Sequence, residues 1–187
     1  MSHNIIKNMY IKKPKIDENG NMVFNKSGMF LFIGILFVSI FSLCTLFMDY
    51  YVPEIIKENN LSIDMTGSLY IAGYSLTALF TIIGLEFIIM YFKHKIIISK
   101  DEIIAQKMLS KKVIKISDIE KVTFSNGRGL IFRDRYTKIA FGNFTIGLIE
   151  VLKFVEKNVP KEKCETAIQK AKKMLMNNRV IEFYTLQ

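Results

Sequence analysis

Two stretches of this chain leave it little conformational freedom. Gly28 to Met48 reads GMFLFIGILFVSIFSLCTLFM, 21 residues without a charge; Leu69 to Phe92 reads LYIAGYSLTALFTIIGLEFIIMYF, 24 residues with one charge, Glu86. At 1.5 Å rise per residue, the first makes a helix of about 31 Å, enough to cross a hydrocarbon core of roughly 30 Å. A 187-residue soluble fold has no core that hides two such helices on every side, so both read as membrane spans. The first is too long for a signal core and no small-residue cleavage site follows it, which marks it as a retained anchor.

Charge then orients the spans. Residues 1–27 carry five lysines and two acids. The segment 49–68 carries one lysine, Lys57, against Asp49, Glu54, Glu58 and Asp64, and residues 93–187 carry 20 basic and 10 acidic side chains. Positive-inside bias puts both termini in the cytoplasm and a short acidic loop, 49–68, outside. Tyr50, Tyr51 and Tyr70 fall at the outer boundary and Tyr91 at the inner one, where amphipathic rings favour the interface. The organisation expected is a cytoplasmic segment 1–27, spans 28–48 and 69–92, a cytoplasmic domain 93–159 and a basic helix and tail 160–187 in a multi-pass protein of the cytoplasmic membrane. Half of the residues are hydrophobic, mean hydropathy is +0.24 and net charge is +9, as a chain divided between lipid and water requires.

Glu86 is the one charge within a span. A carboxylate there is costly and often functional. It lies six residues from the cytoplasmic end of the span, about 9 Å along the helix. It is a candidate intramembrane contact: protonated, reaching toward Lys93, or bonded to serine and threonine hydroxyls of a neighbouring helix.

After the second span the period changes from helical to alternating. HKIIISKD, IIAQKMLS, VIKIS, DIEKVTFS, LIFRDR and KIAFG are six short strands at roughly ten-residue spacing, the pattern of a small antiparallel sandwich or barrel. Asn126-Gly127 marks a hairpin of type I′, whose turn positions need positive φ. Alternation sends Ile114, Ile116, Val122, Phe124, Leu130, Phe132, Ile139 and Phe141 inward, and Lys115, Lys121, Arg133, Arg135 and Lys138 outward. From Ile146 the pattern is helical again, with Ile146, Ile149, Leu152, Phe154, Val155 and Val159 on one side, Asn143 or Thr145 as N-cap and Pro160 at the end. In the tail, Cys164, Ile168, Ala171 and Leu175 make a narrow apolar stripe on a basic helix, suited to docking, self-association or a membrane surface. VIEFYTLQ reads as an extra strand or docking tail.

Three of the four arginines, Arg128, Arg133 and Arg135, lie between Phe124 and Asn143. With Lys138 they form the candidate surface for an anionic ligand or partner. The residues around them hold no catalytic set. Gly127 and Gly129 lack the third glycine of a dinucleotide loop, and Cys44, Cys164, His3 and His94 have no zinc spacing and no reason to pair as a disulfide. The reading is a non-enzyme with no cofactor and no metal, and His94 is an interfacial side chain. Nucleic acid is the weaker partner for this positive charge, because cytoplasmic topology alone selects it and an anionic leaflet lies alongside.

The order of strands and helix resembles a pleckstrin-homology-like (PH-like) barrel, and more narrowly the bacterial membrane-anchored PH-like domains that follow one or two transmembrane helices. The residues that carry the resemblance are HKIIISKDEII, VIKISDIEKVTF, the pair LIFRDR and KIAFGN, and LIEVLKFVEKN, about Lys93 to Val159. It implies an α+β membrane protein: a transmembrane helical hairpin plus a seven-strand PH-like antiparallel barrel or sandwich capped by a C-terminal helix. The seventh strand is expected from IDENGNMVFN, residues 16–25. The resemblance implies a membrane-anchored binding or scaffold module whose partners are the bilayer, anionic lipid headgroups, a second copy or another membrane protein. The alternatives are self-protection against a membrane-active peptide and an accessory subunit of a larger envelope or transport complex.

Overall fold

A computed structural model of the chain describes residues 8–59, 63–142 and 144–177. The chain divides into two compact units. One is Gly28–Phe92; the other joins the residues before Gly28 to those from Lys93 onward.

The first unit is a pair of antiparallel helices, α1 (Gly28–Asn59) and α2 (Ile63–Lys93). Both are long and apolar enough to cross a membrane. Glycines set their approach. A β-carbon on Gly34 would meet the Gly84 carbonyl at 2.8 Å, and one on Gly84 would meet Phe37 and Val38 at 2.9 Å, so the two backbones touch where neither has a side chain. Phe41 stacks on Phe80 with centroids 4.5 Å apart, and the Tyr74 hydroxyl donates to Asp49 at 2.6 Å. Asp49 to Asn59, expected as loop, continues α1 through Pro53. A proline removes one i to i−4 bond, and the long helix carries that single break. Thr45, Thr77 and Thr81 donate to carbonyls of their own helix.

The second unit is α+β, with eight short strands in two antiparallel sheets. The first sheet runs in order β1 (Lys15–Ile16), β2 (Met22–Asn25), β3 (Lys95–Ile98), β4 (Glu102–Gln106) and β5 (Lys111–Lys115). The second holds β6 (Lys121–Ser125), β7 (Gly129–Arg133) and β8 (Lys138–Phe141). All six strands expected after Phe92 are present. The sheets remain separate and no closed barrel forms among the described residues. The segment before α1 does supply strands: Asp17 accepts from the backbone N–H of Asn19 and Asn21 and Gly20 takes φ of 79°, which closes the β1–β2 turn. Phe24 then pairs with Ile96 on β3. Residues 26–94, the apolar helices included, are therefore the connection between two paired strands.

Two helices complete this unit. Helix α3 (Leu148–Asn158) buries Ile149, Leu152 and Val155 as expected, and also Leu148 and Val151. Its N-cap is Gly147 at φ 89°, not Thr145; Asn143 lies outside the described residues. A β-carbon on Gly147 would sit 3.1 Å from the Lys12 carbonyl and 3.2 Å from the Phe24 ring, so only glycine lets the helix start against the N-terminal segment. Helix α4 (Lys161–Asn177) buries Cys164, Ile168, Ala171 and Leu175, the stripe read from the sequence, together with Ala167. The stripe is covered by this unit's own core, on the β6 side. VIEFYTLQ lies outside the described residues. Parity holds for six of the eight residues expected inward: Ile114, Val122, Leu130, Phe132, Ile139 and Phe141 are at most 2% exposed, while Phe124 and Ile116, the latter in a 3-10 turn (Ile116–Asp118) after β5, are half-buried. The N-terminal Met9 and Tyr10 join that core, and burial pushes the Tyr10 phenol up. The β6–β7 hairpin differs from type I′. Arg128 N–H donates to the Ser125 carbonyl at 3.1 Å, and positive φ falls on Gly129 (68°), not on Gly127. That is a type I turn followed by a left-handed glycine.

Candidate functional site

The three-stranded sheet places the cations by register. Arg133 on β7 lies opposite Lys121 on β6 and opposite Lys138 on β8. The preceding row, Val122, Phe132 and Ile139, points into the core, so period two sends Lys121, Arg133 and Lys138 to the outer face as one row. Cross-strand neighbours stand about 5 Å apart at Cβ, where like charges destabilise a pair. Asp134, next to Arg133, accepts from the N–H groups of Tyr136 and Thr137 and closes the β7–β8 turn. Arg135 sits in that turn with its guanidinium 5.5 Å from the Tyr136 ring centre, and Tyr136 is 87% exposed.

Of the four residues proposed from the sequence, register therefore unites Arg133 and Lys138 and puts Arg135 in the adjoining turn. Arg128 stands apart, just before the other end of β7, about 16 Å away at 3.3 Å per residue. Lys121, left out of that set, completes the row. Pairing register decides this, and composition does not contain it. Glu86 is exposed on α2 and makes no hydrogen bond or ion pair among the described residues. The threonines that were its candidate partners are occupied by their own helix.

A second cluster was not legible as a site. Lys26 follows β2, His94 precedes β3, Lys107 follows β4 and Thr145 precedes α3, and all four line a cavity of about 70 Å³. No carboxylate is among its lining residues. Thr145 is 2% exposed and its Oγ1 has no hydrogen-bond partner among the described residues. A methyl built on Gly142 would lie 3.4 Å from Lys26 Nζ and 4.0 Å from Thr145 Oγ1, which brings both groups to one point. Burial pulls the His94 imidazole below its ordinary value, and the charges of Lys26 and Lys107 pull it further. Burial likewise lowers the Lys26 ammonium, with Lys107 adding to the effect. His94 thus lines a cavity. The only sequence hint was its position, next to the end of one long apolar helix as Lys26 is next to the start of the other.

Compared with protein-family models, curated proteins and solved structures, the chain matches none.

Proposed function

We propose that the chain is a membrane-anchored, non-enzymatic binding or scaffold module of the PH-like kind. In this reading α1 and α2 cross the cytoplasmic membrane with both termini inside, and the β-rich unit offers its Lys121, Arg133 and Lys138 row to an anionic surface. The single observation that carries the binding role is that row. Three like charges in direct register cost stability, and an anionic partner reverses the sign of that cost. The membrane role draws support from exposure. Only 6% of the first apolar window and 11% of the second is buried within the chain, so these helices are not core helices and their side chains need an apolar solvent. The excess of lysine on residues 1–27 and 93–187 sets the direction. The PH-like reading draws on element order, strands β2–β5 and β6–β8 in two antiparallel sheets followed by a helix.

The test is pull-down of the full chain from membranes in mild detergent, with mass spectrometry of bound protein and lipid. The triple reversal Lys121→Glu, Arg133→Glu, Lys138→Glu is expected to lose an anionic lipid or acidic partner while keeping its melting temperature. An unchanged set of bound molecules rejects the row as the docking face. A reporter fused after Gln187 that is active outside the cell rejects the topology.

One observation favours a second reading, an accessory subunit of a larger membrane complex. Glu86 is an exposed carboxylate without a partner among the described residues, the one charged residue between Leu69 and Phe92. A carboxylate in hydrocarbon is stable when another helix supplies the donor.

A further inference from the structure

We infer that the cavity between Lys26, His94, Lys107 and Thr145 is a binding site for a tetrahedral phosphate-type oxyanion. It is separate from the outer row of Lys121, Arg133 and Lys138 and does not depend on the reading given to that row.

Four observations converge. First, the donor set has one sign. Lys26, Lys95 and Lys107 line the cavity beside His94, and no carboxylate is among the described residues that line it. A cavity that gathers cations without an acid stabilises an anion and little else. Second, one lining residue, Thr145, carries a buried hydroxyl without a partner among the described residues. Leaving such a group without a partner costs on the order of its desolvation, and Thr145 can donate to an anion oxygen while its backbone N–H stays bound to the Gly142 carbonyl. Third, the volume fits. At roughly 10–15 Å³ for each water-sized group, about 70 Å³ admits about five heavy atoms, the number in a phosphate group. Fourth, burial and neighbouring positive charge lower both the His94 and the Lys26 values, and a bound dianion would offset the field that opposes their protonation.

The same chemistry is offered by free inorganic phosphate, a small phosphomonoester or a lipid headgroup. One neighbouring feature bears on the lipid form. The β4–β5 turn next to Lys107 presents Met108 and Leu109, 57% and 91% exposed, between Lys107 and Lys111. An apolar tip flanked by lysines suits an anionic interface.

The experiment uses the full chain in detergent micelles and in nanodiscs. In micelles, inorganic phosphate is titrated against chloride at matched ionic strength, with Thr145→Val, Lys107→Gln and, as control, Lys138→Gln. Wild type and Lys138→Gln are expected to show the same saturable rise in melting temperature. Thr145→Val and Lys107→Gln should bind phosphate about tenfold more weakly or worse, each having lost a hydrogen bond to a charged group. Thr145→Val removes a buried hydroxyl with no partner, so without phosphate it melts no lower than wild type, which excludes misfolding as the cause of its loss. In nanodiscs, phosphatidylglycerol is compared with phosphatidylcholine by hydrogen exchange at the Thr145 and Lys107 amides. Protection by phosphatidylglycerol that Thr145→Val removes supports the headgroup form, and a response to phosphate alone supports the free-anion form. A phosphate response equal to that of chloride, together with equal exchange in both lipids, overturns the proposal. So does a phosphate response that both cavity variants retain in full.

Discussion

Phe24→Ala tests whether the segment before α1 belongs to the β-rich unit. Phe24 is 1% exposed, meets Phe141 edge to face at 5.1 Å and lies beneath Gly147. Truncating a buried phenylalanine costs about 3–5 kcal/mol, of which an edge-to-face pair accounts for about 0.5–1.5. Small domains have about 5–15 kcal/mol in all, so a large share of the stability of this unit rests on one side chain supplied from across the apolar helices. For a unit of ~120 residues each kcal/mol shifts melting by roughly 3–6 °C, which predicts a drop of about 10–30 °C. Far-UV dichroism would be dominated by α1 and α2. The better readout is the Cys164 thiol, 2% exposed in the core, followed by a thiol-reactive dye in a Cys44→Ser background during thermal denaturation in detergent. Ile16→Ala is the control, because Ile16 is 63% exposed and its loss should stay within about 0.5 kcal/mol. If Phe24→Ala melts with Ile16→Ala, the strand pairing of β2 with β3 carries no stability and the fold argument fails.

Gly147→Ala puts a side chain at φ 89° against the Lys12 carbonyl, and should destabilise the same unit by about 1–3 kcal/mol in the same assay, more than Gly127→Ala in the open β6–β7 turn. His94 faces Lys26, Lys95 and Lys107 and binds its proton less tightly folded than unfolded, so stability should fall as pH drops below about 6.5 toward the lowered folded value. Melting curves between pH 5 and 7.5 should show that slope in wild type and a flatter one in His94→Gln. Sulfate at constant ionic strength should flatten the wild-type slope too, and parallel curves would refute this account of the cavity. Glu86→Leu should leave the melting of the β-rich unit unchanged and remove any co-purifying membrane protein; retention of that protein in full ends the subunit reading.

Much of this chain was determined by its sequence alone. Twenty-one uncharged residues in a row admit few structures, and the two apolar helices followed from that. Period two located all six strands after Phe92 and the inward set on them, because a strand buried on one face writes its register into every second residue. The heptad-like stripe on α4 was legible for the same reason. The turns were less so, since Asn126-Gly127 fits type I′ locally while the observed hairpin takes its positive φ at Gly129. What only the tertiary structure decided was what comes together from afar. Period two gave Lys121, Arg133 and Lys138 the same direction but not the same row; strand register did that, and it left Arg128 at the far end of β7. The cavity draws on residues before α1, after α2, after β4 and before α3, and no local pattern joins them. Lys26 and His94 meet because β2 and β3 pair across the entire apolar connection, an arrangement fixed by core burial of Phe24 and Ile96 and by no signal in the residues between.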